Sequence, residues 1–145
     1  VSDGAPERPA GGGCPVAVNP SDLGAPSGFS HGMLAPRGSR LLFVAGQIGW
    51  DADHRLVSDS FVEQFGRALD NVLRVVEHAG GRPGNVARLT LYVTDKSEYT
   101  GRLREVGRAY RERMGKHFPA MALLEVAGLL EPGAKVEIEA TAVLP

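Results

Sequence analysis

The stretch that most constrains this chain is Lys135-Val-Glu-Ile-Glu-Ala-Thr-Ala-Val-Leu144, where apolar and polar side chains alternate. A period of two puts Val136, Ile138, Ala140 and Ala142 on one face of a strand and Glu137, Glu139 and Thr141 on the other. One face belongs in a core, and the other carries two carboxylates one pleat apart. Just upstream, Pro119 to Leu130 is apolar at every position from Met121 to Leu124. Such a run predicts a strand buried on both faces. Between the two lies Glu131-Pro-Gly-Ala134, a turn signal. The C-terminal third therefore reads as two strands joined by a short loop.

The rest of the chain supplies partners for these strands. Met33-Leu-Ala-Pro36 and Leu41 to Trp50 flank the polar link Arg37-Gly-Ser-Arg40, a pattern that predicts a β-hairpin whose second strand is central. Gly46 inside that strand marks a bulge, a ligand's approach or close packing against a helix. Ser60-Phe-Val-Glu63 has the form of a capping box, and Val62, Phe65, Leu69, Val72 and Val76 follow at helical spacing. Gly80-Gly81 and Pro83 stop that helix. A strand is expected from Asn85 to Asp95 with Ala87, Leu89, Leu91 and Val93 facing in, then a second helix from Ser97 to Met114. Arg104, Arg108 and Arg111 lie along one side of that helix. They read either as an anion-binding groove or as a solvated face, and Glu105 and Glu112 among them favour the solvated face.

The element order is strand, strand, helix, strand, helix, strand, strand. Right-handed crossovers place both helices on the same face of one mixed sheet, so the expected class is a single-domain α+β (α/β) fold. The other sheet face then has no cover of its own, and a second copy of the chain is expected to supply it.

A length of 145 residues fits one domain, and 43% hydrophobic content is that of an ordinary globular protein. A formal net charge of -1 argues against a dedicated nucleic-acid or anionic-membrane surface. No apolar run is long enough to cross a bilayer, and the N-terminus lacks a signal-peptide pattern, so a cytoplasmic location is expected. Residues 1–18 read as a disordered tail and 19–145 as the domain, because the Gly- and Pro-rich start has little apolar surface to bury. Cys14, the single cysteine, reads as an incidental exposed thiol with nothing cationic beside it in sequence. Asp51, Asp53 and His54 read as a solvated turn, their spacing matching neither a calcium loop nor a zinc motif. His31, without a partner in sequence, reads as structural. No phosphate loop, nucleophile elbow or dinucleotide fingerprint occurs, and neither a cofactor nor a metal is expected.

Phe43-Val-Ala-Gly-Gln-Ile48, Asn71-Val72 with Ala79-Gly80-Gly81, Val93-Thr-Asp95, Phe118-Pro-Ala-Met121, Glu125-Val-Ala127 and Val136-Glu-Ile-Glu-Ala140 occur in that order. In order and spacing they resemble the Rid (reactive intermediate deaminase, YjgF-like) family over residues 25 to 144. The resemblance implies a chorismate-mutase-like fold and a homotrimer with small-molecule clefts between subunits. It implies hydrolysis of enamines or imines to a carbonyl compound and ammonia. It assigns the water-directing carboxylate to Glu137, with Glu139 the weaker candidate, and puts Phe29, Gly46, Gln47 and Leu123 on the ligand cavity. For Phe29 and for Gly46 a plain packing role stands equally open.

One departure bears on chemistry. Members that act as deaminases usually carry an arginine after the Pro-Ala pair, where this chain has Met121. Two charge-assisted hydrogen bonds to a substrate carboxylate, roughly 1.5–3 kcal/mol each, are thereby absent. The resemblance then leaves two readings: a deaminase of a larger or less acidic substrate, or a trimeric binding protein without turnover. An endoribonuclease activity, attached to some relatives, fits the charge balance least.

Overall fold

The computed structural model describes residues 13–145. Its core is a four-stranded sheet in the order β3-β6-β4-β5, with β3 Arg40–Ile48, β4 Val86–Val93, β5 Ala120–Glu125 and β6 Val136–Leu144. β6 is antiparallel to both neighbours, β3 and β4, while β4 and β5 run parallel. Helices α1 (Phe61–His78) and α3 (Leu103–Met114) pack on one face, in the mixed α+β arrangement expected. A separate pair of short strands, β1 (Val16–Val18) and β2 (Gly32–Leu34), runs antiparallel.

Helix α1 starts where its sequence says it should. The Ser60 side chain accepts the Glu63 N–H at 3.4 Å, one half of the expected box. Phe65, Leu69, Val72 and Val76 are fully buried, while Val62 is only partly so. Gln64 is also buried, yet every polar atom of its amide has a partner. It donates to the carbonyls of Ser58 and Gly133 and accepts from the Lys135 N–H, which ties α1 to the loop before β6. The helix backbone comes so close to Gly49 that a Cβ there would sit 2.6 Å from the Gln64 Cα. Close helix packing therefore falls at Gly49 and not at Gly46.

Several expectations change. The hairpin does not form, because β2 pairs with β1 and β3 pairs with β6. Val16–Val18 is a strand, so the tail ends earlier than residue 18, and residues 1–12 lie outside the described ones. The second helix is broken. Asp95 caps a short α2 (Lys96–Thr100), and the chain turns at Gly101-Arg102 before α3 begins. Glycine is a poor helix former and the Asp95 cap fixes the earlier start. In β4 a register shift between Val86 and Arg88 buries Val86 in place of Ala87. Met121 to Leu124 is not buried on both faces. β5 is an edge strand, with Met121 and Leu123 against the core and Leu124 44% exposed.

Candidate functional site

The two faces of the sheet carry the candidate residues separately. Val136, Ile138, Ala140 and Ala142 point into the core, so Glu137 and Glu139 stand on the face that no helix covers. Tyr92, opposite Glu137 in the register, donates its hydroxyl to Glu139 Oε1 at 2.7 Å. That bond needs the phenol proton, so Glu139 first, then partial loss of water and the charges of Glu139 and Glu137, hold the Tyr92 hydroxyl above its ordinary range. Glu139 is thus engaged as an acceptor.

Glu137 is placed differently. The β3–β6 register shifts between Val44 and Gln47, which leaves Gly46 in a bulge facing the Glu137 side chain. A side chain at Gly46 would collide with the Glu137 carboxylate. The missing Cβ therefore makes the space this carboxylate occupies. An acceptor-only group held against open backbone, with no hydrogen bond to a described side chain, is free to receive a water or a substrate N–H.

Gln47 does not join Glu137. It pairs with Ile138 in the register and lines a shallow polar hollow with Trp50, Arg67 and Asn71 on the α1 side. Asn71 donates to the carbonyls of Ile48 and Trp50, fixing the end of β3. The turn at Asp51 is as expected. Its Oδ1 accepts from the Asp53 and Arg55 N–H groups, and the bond from Arg55 is foremost in lowering the Asp51 pKa. The His54 ring stacks on Trp50 at 4.3 Å between centroids.

Met121 and Leu123 face the helices. Met121 lines a largely apolar cavity of about 170 Å³ between α3 and the sheet, together with Leu89, Ile138, Tyr99, Val106 and Tyr110. Burial pushes the Tyr110 hydroxyl well up from its ordinary value, and that hydroxyl donates to the His117 carbonyl at 2.6 Å. Gly28 touches the cavity rim, and Ser30 joins the start of β5. Its N–H donates to the Pro119 carbonyl at 3.0 Å and its hydroxyl to the Phe118 carbonyl at 2.6 Å. Phe29 between them is 37% exposed and sits edge-on to His31, 5.3 Å between centroids. His31 in turn is held to the Gly24 carbonyl at 3.0 Å.

Within one chain, then, the fold joins Glu137 with Gly46, and Met121 with Leu123 and the Gly28–Ser30 segment, on opposite sides of the sheet. Sequence reading missed Tyr92, whose strand period did place it on the Glu139 face. It also misjudged Cys14, which is half-buried and accepts from Arg82 Nη2 at 3.3 Å. Those residues lie 68 positions apart, beyond any local signal.

The family model described as Endoribonuclease L-PSP matches residues 21–144. The chain belongs to this family. A RutC family protein of Pasteurella multocida is 31% identical over 119 residues, covering 82% of this chain and 92% of that protein. The 2-iminobutanoate/2-iminopropanoate deaminase of Salmonella typhimurium is 32% identical over 106 residues, 71% of this chain and 79% of the deaminase. Among solved structures, the Rid family protein YyfB of Yersinia pestis superposes with a TM-score of 0.80 at 32% identity, covering 90% of this chain and 98% of that one. The YjgF-like fold implied by the resemblance is therefore the fold observed, and the family includes imine deaminases.

Proposed function

We propose that this L-PSP family chain hydrolyses an enamine or imine to a carbonyl compound and ammonia, on a substrate other than the small 2-imino acids. The carrying observation is the Glu137 carboxylate laid against Gly46 on the open sheet face. The similarity to an imine deaminase supports the reaction class. Hydrolysis asks little of the protein. Water adds to the imine carbon as Glu137 takes one of its protons. Glu137 passes that proton to the nitrogen, giving the neutral carbinolamine; the hydroxyl proton then moves by way of the carboxylate to the nitrogen as the C–N bond breaks, so ammonia leaves as the carbonyl forms. Methionine in the place where deaminating members carry arginine supports an apolar rather than a carboxylate-bearing partner for that position.

The working form in this reading is a homotrimer with the ligand cleft between subunits. Leu41, Phe43 and Leu124 support it, being 57%, 75% and 44% exposed on or beside the face that carries Glu137. A second chain would cover that apolar surface and bring its own edge strand, with Met121, toward Glu137.

The test generates imines in place with amino-acid and amine oxidases and follows carbonyl release. Added protein accelerates release from imines of apolar amines, and Glu137→Gln lowers that acceleration at least about 100-fold. Full activity in Glu137→Gln would remove the assigned role. No acceleration with any imine, alongside tight apolar ligand binding, would instead favour a trimeric binding protein without turnover.

A further inference from the structure

The hollow at the end of β3 gathers cations that the proposed hydrolysis leaves unused. Arg67 and Arg74 both line it, two turns apart on α1. Arg67 Nε donates to Asn71 Oδ1 at 3.2 Å, which draws that side chain forward along the helix toward Arg74. Long helical side chains lean toward the N-terminus, so Arg74 inclines the other way, back toward Asn71. Asn71 itself is fully engaged, since its amide N–H groups donate to the carbonyls of Ile48 and Trp50. The acid that lies between the two arginines in sequence, Asp70, is turned away to Arg113 on α3. The ion pairs among the described residues include neither Arg67 nor Arg74. Two guanidiniums brought into one hollow repel each other, and an anion between them removes that cost.

We propose that this hollow binds a small phosphate monoester, its phosphate held by Arg67 and Arg74 and its organic body laid against Trp50. A guanidinium donates parallel N–H groups to phosphate oxygens, and a pair of guanidiniums matches a dianion better than the single charge of a carboxylate. Asp51 is the one carboxylate on the lining, and its Oδ1 already accepts the Asp53 and Arg55 N–H groups. The organic body has a built surface to meet. The His54 ring stacks on Trp50 at 4.3 Å between centroids, with 17° between the planes. His54 takes that place with φ at 57°, the only described residue other than glycine with a positive φ. Size agrees: the hollow measures about 210 Å³, and roughly 150 Å³ is enough to hold benzene. It lies on the α1 side, while Glu137 stands on the sheet face that no helix covers. The site is therefore distinct within one chain from the carboxylate assigned to hydrolysis, and its test does not depend on turnover.

Phenyl phosphate is the probe, with inorganic phosphate and phenol as its two halves, each titrated into the whole protein labelled with ¹⁵N at the tryptophan indole. The chain has one tryptophan, Trp50, so its indole N–H resonance reports on this hollow. Phenyl phosphate is expected to move that resonance saturably, and phenol at the same concentrations to leave it in place. Inorganic phosphate should bind at least about tenfold more weakly than the ester, for want of the ring. Arg67→Gln and Arg74→Gln should each weaken the ester at least about tenfold, while Arg108→Gln, on the exposed side of α3, should change nothing. The proposal is overturned if the resonance does not respond to the ester, or if either variant of the hollow binds it as tightly as the native chain does. It is overturned equally if Arg108→Gln weakens binding as much, or if inorganic phosphate binds as tightly as the ester.

Discussion

The two faces of strand β6 differ in what holds their side chains. On the helix-covered face Val136, Ile138 and Ala142 are at most 1% exposed, packed with α1 side chains that are equally buried. On the other face Glu137, Glu139 and Thr141 are only partly covered, and across from them on β3 Phe43 is 75% exposed. The first face is finished within one chain, since its apolar area leaves water when the helices dock. The second is a mixture of carboxylates, a tyrosine and large apolar side chains that one chain leaves open. Stability and the proposed chemistry are thus assigned to opposite sides of the same strand, and substitutions on the two sides should fail in different ways.

The largest cost to the fold is expected at Leu69, which has no exposed surface. Leu69→Ala should lose about 2–5 kcal/mol in denaturant unfolding, with the fold retained. A loss under about 1 kcal/mol would mean that the helix-covered face is less tightly packed than described. Next comes Gly46→Ala, where the new methyl group meets the Glu137 carboxylate. Displacing that group should lower imine hydrolysis about 10- to 100-fold, mainly in kcat, with a far smaller change in stability. Unchanged kinetics would detach Gly46 from the site.

Tyr110 tests the covered face by pH. Its hydroxyl proton is held by burial, so above the ordinary value of 10.0 the unfolded phenol ionises while the folded one does not. Unfolding then releases a proton, and stability present below that pH is lost as pH rises. Tyr110→Phe should cost about 1 kcal/mol at neutral pH, by loss of the bond to His117, and flatten the alkaline decline. A decline as steep as the native chain's would assign it to other groups. The smallest effect on a single subunit is expected from Phe43→Glu, within about 0.5 kcal/mol for a surface site. Sedimentation should nonetheless show the proposed trimer giving way to monomers. A native chain that sediments as a monomer would end the proposed intersubunit cleft.

Much of this was legible in local pattern. The alternation from Val136 to Ala142 set the strand and its faces, the stripe from Phe65 to Val76 set α1, and Gly80-Gly81 set its end. The motifs pointed to the family to which the chain belongs. Each of these signals is short-range, written in the period of side chains or in the conformational freedom of glycine. Strand order is not short-range. That β2 leaves β3 for β1, and that the apolar Met121–Leu124 run lies at an edge, followed from which strands competed for the same partners. Only packing in three dimensions put Arg82 on Cys14 and Tyr92 on Glu139, because each pair is brought together by elements far apart in the chain.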